Sequence, residues 1–247
     1  SLTEATVQSM VHEAVTDTFA AHAVSQGTGH ALLWTLAREQ VTELVTAAVF
    51  SDQAEYQATG FRPVAFEAAA QGILQLESHA SSVSLKIHGT LDRVDYRAEP
   101  PALRIVDYKF KQGSEITAVD RNLALSAVRG FRLQPPLYAR MTLPSLPSAT
   151  DVQLLFLAPQ WKQPISRSTF DAGLWTGHTG DMIRQTLSML VQGIARREFF
   201  ILPDGYCDYC EYSGACRRHD SMAWLRSYRS PQARVLRRLR KQKISDE

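Results

Sequence analysis

Charged residues inside two strand-like segments constrain this chain more than any other feature. Asp92 closes the β-prone run Gly89-Thr90-Leu91, and Asp107-Tyr108-Lys109 follows after fourteen intervening residues. Burying ionisable groups among apolar residues is costly unless the groups pair or hold a metal. Because strand side chains alternate between faces, Asp107 and Lys109 share one face, and Asp92 on the preceding strand can face Asp107. The two segments therefore predict neighbouring strands that carry two carboxylates and a lysine together.

This set of residues favours metal-dependent chemistry on a phosphodiester. Two carboxylates held close together repel, and a divalent cation such as Mg²⁺ relieves that repulsion while it supplies a Lewis acid. A lysine beside the metal can orient or deprotonate the attacking water and offset charge on the phosphorus. We interpret the set as that of a nuclease. The alternative is a buried salt bridge between Lys109 and one of the aspartates.

Composition is that of an ordinary globular protein. The chain has 247 residues, of which 45% are apolar and 21% are charged, enough for one large domain or a domain with an appendage. No apolar run of about 18 residues predicts a membrane span, and residues 1–6 lack the basic start of a secretory signal. We therefore expect a cytoplasmic protein. Because helical periodicity begins at once, we also expect the chain to be part of a longer protein.

Apolar periodicity predicts a mixed sheet flanked by helices. The predicted order is two helices, three strands, a helix, a strand and a helix, at residues 2–22, 31–50, 63–74, 83–96, 103–110, 132–141, 152–157 and 181–197. A cysteine-rich loop and a basic tail close the chain. We divide the chain into helices at 1–60, a core at 61–165 and a C-terminal part at 166–247, all within one domain.

Further candidates lie around this centre. Gln134 and Tyr138 stand four residues apart on a predicted helix, hence on one face, where an amide and a hydroxyl can support Lys109. His12 lies on the first helix beside apolar Val11, where a lone histidine is more often structural. Glu67 is an acid in a strand-like run, either a further metal ligand or an edge-strand charge.

Together these pieces resemble the RecB-type branch of the PD-(D/E)XK nucleases, and within it the C-terminal nuclease domain of AddB-like helicase–nuclease subunits. The matching segments are Val11-His12-Glu13, Gly89-Thr90-Leu91-Asp92-Arg93-Val94-Asp95, Ile105-Val106-Asp107-Tyr108-Lys109 and Leu133-Gln134-Pro135-Pro136-Leu137-Tyr138-Ala139. The fold that this implies is α/β, a restriction-endonuclease-like core with a mixed central sheet flanked by helices. The family usually has a glycine four residues before the histidine, and this chain has Gln8 there.

The resemblance also implies roles for the residues. His12, Asp92 and Asp107 would bind Mg²⁺ or Mn²⁺ together with the carbonyl of Tyr108. Lys109 would be catalytic, with Gln134 and Tyr138 in support. Such domains cut single-stranded DNA during double-strand-break processing, often with a helicase subunit or domain. No phosphate-cradling Gly-x-x-x-x-Gly-Lys-[Ser/Thr] motif occurs in the chain, so a motor would lie elsewhere.

The three cysteines form one tight array, Cys207, Cys210 and Cys216. An odd, closely spaced triplet fits a metal or cluster better than disulfides. In AddB-like nucleases this spacing supplies three ligands of a [4Fe–4S] cluster, and the fourth cysteine lies upstream of the histidine. This chain has no cysteine before Cys207. The alternatives are a Zn²⁺ site completed by His219, or three free thiols.

The end of the chain is strongly basic. Residues 217–243 contain ten Lys or Arg against Asp220 alone. We take Arg237, Arg238, Arg240 and Lys241 as candidate DNA contacts, the alternative being a solvated helix face or a disordered tail. Two other functions stay open at this point: a catalytically inactive DNA-binding scaffold of the same fold, and a zinc-binding interaction module.

Overall fold

The computed structural model describes residues 3–78, 81–112, 116–198, 207, 210–216 and 220–244. Its strands are β1 (Arg62–Ser78), β2 (Ser81–Arg97), β3 (Ala102–Phe110), β4 (Asp151–Leu157) and β5 (Ile165–Asp171). Its helices are α1 (Glu4–Gln26), α2 (Ala31–Thr59), α3 (Ala118–Arg121), α4 (Leu123–Val128), α5 (Gln134–Tyr138), α6 (His178–Ala195), α7 (Ser221–Arg229) and α8 (Pro231–Leu239), with a 3₁₀ turn at Ala172–Thr176.

A five-stranded mixed sheet forms the centre, in the order β1-β2-β3-β4-β5. All neighbouring strands are antiparallel except β3 and β4, which run parallel. A parallel pair needs a crossover between its strands. Here the crossover contains α3, α4 and α5 and returns the chain beside β3. The predicted mixed sheet flanked by helices is confirmed.

The two faces of the sheet are covered differently. On one face α2 forms ion pairs with strand residues, among them Asp52 with Arg93 and Glu55 with Arg104. The other face is apolar and packs against α4, α5 and α6. Its core includes strand and helix residues that are almost fully buried, such as Ile105, Leu154, Phe156, Phe170, Leu123, Val128 and Ile183. Helix α1 packs on α2 through a separate small cluster of Val7, Val11 and Val15.

Several elements differ from the predicted ones. Strand β5 was not predicted, because Ile165-Ser-Arg-Ser-Thr alternates polar residues at the sheet edge and gives little apolar signal. Helix α2 continues to Thr59 and β1 to Ser78. The helix predicted at 132–141 is only Gln134–Tyr138, since Thr142 bonds to Gln71 of β1 and extends the chain.

The long β1–β2 hairpin is fixed against the crossover by a close backbone approach. A Cβ atom at Gly72 would lie 2.3 Å from the carbonyl oxygen of Arg140, so only glycine fits there. The adjacent bridge runs from the Thr142 amide to the Gln71 carbonyl at 2.8 Å. This contact holds β2 in position beside α5, and both elements carry predicted site residues.

The basic C-terminal segment is folded over residues 220–244. Ala233 and Leu239 of α8 are buried, and Leu239 packs near Gly130 of the crossover. Arg129 Nε donates to the Gln242 carbonyl at 2.8 Å. The alternative of a disordered tail is therefore wrong for these residues. In the described part of the chain, no helix combines the length and the apolar character that crossing a bilayer requires.

Candidate active site

Asp107 is the centre of the candidate site and is almost completely buried, with 2% of its surface exposed. Lys109, two residues along the same face of β3, places Nζ 2.6 Å from Asp107 Oδ2. The alternative drawn from the sequence, an ion pair between Lys109 and an aspartate, is therefore formed. The ammonium of Lys109 partly offsets the charge of the buried carboxylate.

Burial controls the protonation of this carboxyl. Loss of hydration raises the pKa of Asp107, and the nearby Asp92 charge raises it further. Lys109 and the guanidinium of Arg132 act in the opposite direction, but the pKa stays raised. A buried carboxylate whose pKa stays raised although a lysine lies 2.6 Å from it is a group that a divalent cation would stabilise.

Asp92 lies beside Asp107 because the β2–β3 register pairs Arg93 with Val106 and so sets Asp92 opposite Asp107. Strand β2 also departs from regular alternation between Leu91 and Val94. Leu91 and Val94 are both fully buried in the same apolar core, although strict alternation puts residues three apart on opposite faces. Arg93 between them points to α2. The β1–β2 pairing joins Phe66 to Arg93 and Ala68 to Leu91 and omits Asp92.

The partner omitted from that pairing is Glu67, whose backbone has a φ of 47°. Such a value is unusual for a residue with a side chain, and strand irregularities re-aim neighbouring side chains. Glu67 itself is exposed. Its predicted role as a metal ligand stays a prediction, and its position explains how Asp92 leaves the regular pattern of β2.

Asp92 is also held from β3. The backbone N–H of Tyr108 donates to Asp92 Oδ2 at 2.9 Å, which engages one of the two carboxylate oxygens. The Tyr108 side chain lies on the opposite face, where its hydroxyl accepts from Arg93 Nη1 at 3.2 Å. The predicted arrangement, in which Asp107 and Lys109 share a face and Tyr108 faces away, agrees with these contacts.

Helix α5 brings Gln134 and Tyr138 to the same face of the sheet. Gln134 Nε2 donates to the Tyr138 hydroxyl at 3.0 Å, so the tyrosine keeps its own proton for another acceptor. Burial raises the pKa of Tyr138, and the charges of Asp107 and Asp92 raise it further, so the hydroxyl stays protonated at neutral pH. Trp175 Nε1 fixes the start of the helix through the Pro136 carbonyl at 3.0 Å.

His12 lies on the solvent side of α1. Its neighbours Val11 and Val15 are buried against α2, whereas His12 is exposed. Across the described ranges, no three His, Cys, Asp or Glu side chains come close enough to hold a metal, so His12 does not join Asp92 and Asp107. Its role as a ligand stays a prediction.

A divalent cation nonetheless fits the carboxylate pair. Mg²⁺ usually takes only one or two protein carboxylates and completes its shell with water and substrate phosphates. Asp92 and Asp107 supply that hard-oxygen set, and the Asp107 carboxylate is buried beside the charge of Asp92. The site therefore suits Mg²⁺ or Mn²⁺.

The three cysteines are not joined by disulfides. Cys207, Cys210 and Cys216 are each half-buried, and the Cys210 amide donates to the Cys207 carbonyl at 3.3 Å. They are not gathered into a set of three metal ligands within the described residues. His219, the fourth ligand of the zinc alternative, lies outside those residues.

Sequence reasoning missed three charged residues next to the site: Lys111, Asp120 and Arg132. Asp120 is fully buried and contacts both Lys111 Nζ, at 3.0 Å, and Arg132 Nη2, at 2.6 Å. Two signals were readable. Lys111 continues the alternation of Asp107 and Lys109, and Thr117-x-x-Asp120 has the spacing of a capping box.

Comparison with known families agrees with this geometry. The family model of the PD-(D/E)XK nuclease superfamily matches residues 1–217, which include every site residue described above. The chain belongs to the PD-(D/E)XK nuclease superfamily. Asp107-Tyr108-Lys109 has the Asp-x-Lys spacing that the superfamily's name contains.

Other comparisons add little for this superfamily member. No curated protein matches the chain. Among solved structures, one described as the crystal structure of SSO0001 is 11% identical, with 83% of this chain and 84% of that chain covered. Its TM-score of 0.34 is too low to support a conclusion about fold or function.

Proposed function

We propose that this chain is a DNA nuclease that uses Mg²⁺ or Mn²⁺ to hydrolyse phosphodiester bonds. The observation that carries the proposal is the buried Asp107 carboxylate, which lies beside the charge of Asp92 and has the Lys109 ammonium at 2.6 Å. Membership of a nuclease superfamily supports the same conclusion.

Each residue of the site has a proposed role that follows from its position. Asp92 and Asp107 would hold the cation, with the Tyr108 carbonyl as the further ligand that the resemblance implies. The bound cation supplies a Lewis acid for the phosphate. Lys109 Nζ would hold the attacking water and offset charge on the phosphoryl oxygens. Tyr138, whose hydroxyl oxygen accepts from Gln134, would donate its proton to a phosphate oxygen.

The finer assignment follows the motif spacing. The segments around His12, Asp92, Asp107 and Gln134 have the order of the RecB-type branch and are most similar to AddB-like subunits. We therefore propose single-stranded DNA as the substrate, exonucleolytic cutting, and work beside a helicase in double-strand-break repair. Circular single-stranded DNA tests the mode of cutting, since an exonuclease leaves it intact.

The basic C-terminal segment is proposed to contact DNA. Arg237 stacks on Tyr228 at 3.7 Å and Arg240 on Phe131 at 4.1 Å, so two of its cations are held on aromatic faces. Arg238 and Lys241 are exposed. Phe131 immediately precedes Arg132, so the contact of Arg240 with Phe131 brings the basic segment next to the crossover loop. Replacing the exposed Arg238 and Lys241 with glutamine should weaken the salt dependence of DNA binding.

The cysteine array is proposed as a cluster-binding segment. The support is its Cys-x₂-Cys-x₅-Cys spacing alone, and the described geometry does not gather the thiols. Iron, sulfide and zinc analysis of the protein purified without oxygen separates a [4Fe–4S] cluster, a zinc site and free thiols.

The central test is cleavage of end-labelled single-stranded DNA with Mg²⁺ or Mn²⁺ by the wild type and two variants. Lys109→Met and Asp107→Asn should each lower the cleavage rate by about 10²-fold to 10⁴-fold. Lys162→Met, at an exposed lysine in the β4–β5 connection, is the matched control and should cut normally.

DNA binding measured with Ca²⁺ separates the outcomes. Variants that bind but no longer cut support the assignment. Cutting at the wild-type rate by Asp107→Asn would overturn the mechanism. A wild type that binds DNA and does not cut would instead support the scaffold alternative.

A further inference from the structure

A second ion cluster lies beside the active site and is organised around Asp120. This carboxylate is fully buried, accepts from the Thr117 hydroxyl at 2.7 Å, and forms ion pairs with Lys111 at 3.0 Å and Arg132 at 2.6 Å. Burial alone would raise the pKa of Asp120, but the hydrogen bonds from Thr117, Lys111 and Arg132 lower it. Asp120 is therefore a fixed negative charge that holds two cations.

Lys111 extends the row of functional residues along β3. The Lys111 amide donates to the Leu157 carbonyl at 2.9 Å, so the pairing with β4 continues past the end of the strand. Asp107, Lys109 and Lys111 therefore point to the same face. Successive residues on one face of a strand are about 6.6 Å apart. That spacing is comparable with the distance between neighbouring phosphates of an extended nucleic acid strand.

Arg132 approaches the same place from the crossover. It lies two residues before Gln134, and its charge acts on the Asp107 carboxyl, whose pKa it lowers. Lys109, Lys111 and Arg132 thus approach one surface from a strand and a loop.

The positive charge of Lys111 and Arg132 exceeds the negative charge of Asp120. Two cations share one carboxylate, so the group carries a surplus positive charge. The side chains of Lys111 and Arg132 are 27% and 30% exposed, whereas the Asp120 side chain is 1% exposed. A guanidinium has five N–H donors, and the contact of Arg132 with Asp120 is made through Nη2. A purely structural ion pair does not require two partly exposed cations over one buried anion.

We propose that Lys111 and Arg132 bind the DNA phosphate adjacent to the one that is cleaved, and that Asp120 is the residue that positions them. The inference rests on the proposed nuclease function and deepens it by naming where the neighbouring nucleotide is held. A phosphate is the ligand that suits the site, since Arg and Lys together recognise it by charge and by hydrogen bonds. The contact fixes the position of the strand and does not read its sequence.

The first experiment measures binding of fluorescent single-stranded DNA with Ca²⁺ over a range of salt concentrations. Lys111→Gln and Arg132→Gln should each weaken binding and reduce the salt slope by about one. Arg132→Lys keeps the charge and should therefore keep most of the salt slope that Arg132→Gln loses. The matched control is Arg121→Gln on α3, because Arg121 is exposed and donates to the Ile116 carbonyl.

The second experiment locates the phosphate. In cleavage assays, a neutral methylphosphonate linkage next to the scissile phosphate should raise KM about tenfold for the wild type and leave kcat nearly unchanged. The same linkage should have a smaller effect on Lys111→Gln and on Arg132→Gln, because each variant keeps only one of the two cations that contact this phosphate. Methylphosphonates on the 5′ and 3′ sides are tested separately, and two linkages further away serve as controls.

The outcomes separate this inference from the proposed function. If the wild type neither binds nor cuts DNA, the nuclease proposal fails. If the wild type binds and cuts, but folded Lys111→Gln and Arg132→Gln keep the wild-type salt slope and KM, the phosphate site is wrong and the nuclease stands. Each single variant leaves Asp120 one cation, so the buried carboxylate keeps a partner and the fold is retained.

Discussion

Two ion networks lie on opposite faces of the same two strands, and they differ in how completely their charges are satisfied. On the α2 face, Arg93 donates to both oxygens of Asp95, at 2.6 and 2.7 Å, and also to Asp52. Arg167 bonds the other oxygen of Asp52 at 2.8 Å. On the opposite face, Asp107 Oδ2 has Lys109 Nζ at 2.6 Å, but the charge of Asp92 lies nearby.

The consequences for protonation also differ. Burial alone would lower the pKa of Arg93, but its bonds to Asp95 and Tyr108 and the charge of Asp52 raise it. The arginine is therefore more firmly charged than in water. In Asp107 burial prevails, and the pKa of the carboxyl rises. Burial therefore has opposite outcomes in the two networks, since the partners of Arg93 outweigh it and those of Asp107 do not.

Removing Arg93 should have the largest effect on stability. Arg93→Met leaves Asp95 without a partner and Asp52 with only Arg167, which should cost about 3–5 kcal/mol of the free energy of unfolding. The rate of cleavage per folded molecule should stay close to that of the wild type, because the side chain lies on the α2 face. Denaturant unfolding and cleavage below the transition measure both quantities.

Arg62→Met is the matched control for Arg93, because Arg62 is exposed and lies over the Tyr56 ring at 4.5 Å. Its loss should cost about 1 kcal/mol or less. An Arg93 variant as stable as this control would show that the α2-face network is not structural. The contrast between the two faces would then be lost.

Two aspartates on the site face should respond in opposite ways to loss of charge. Asp120→Asn removes the anchor of Lys111 and Arg132 and should cost about 1–3 kcal/mol at neutral pH. Asp107→Asn should cost little or stabilise the cation-free protein, because ionised Asp107 is itself unfavourable there. Denaturant unfolding with EDTA measures both variants.

The pH dependence gives each aspartate its own sign. The pKa of Asp120 is lowered from 3.8, so its stabilisation is present above that value and is lost as pH falls through the folded pKa. The pKa of Asp107 is raised from 3.8, so its ionisation destabilises the fold above the raised value, and acidification removes that cost. Equal pH profiles for the two variants would contradict the assignment.

The sequence could predict the sheet and the central residues because their signals are local. Alternation in β3 places Asp107 with Lys109, and a four-residue spacing places Gln134 with Tyr138, which the 3.0 Å bond agrees with. The helix at 132–141 was predicted too long because its end depends on the distant pairing of Thr142 with Gln71.

The residues that were missed depend on contacts between distant segments. The role of Asp120 could not be predicted because its partners Arg132 and Lys111 come from the crossover and from the end of β3, and only the fold brings them together. The break in alternation at Asp92 likewise requires the facing Glu67. A sequence shows on which strand or helix a charged residue lies. Which charged residues contact it is determined by the fold.

Tyr108 connects the two networks, and its variant should have the smallest effect. The backbone N–H holds Asp92 at 2.9 Å on the site face, while the hydroxyl accepts from Arg93 on the other. Tyr108→Phe keeps the backbone contact and removes only the hydroxyl. The free energy of unfolding should therefore fall by about 1 kcal/mol, and the cleavage rate should be unchanged. A large loss of cleavage in a folded Tyr108→Phe protein would show that the α2-face network acts on the active site through β3. An unchanged rate, together with a small stability loss, would mean that the site depends on Tyr108 only through its backbone.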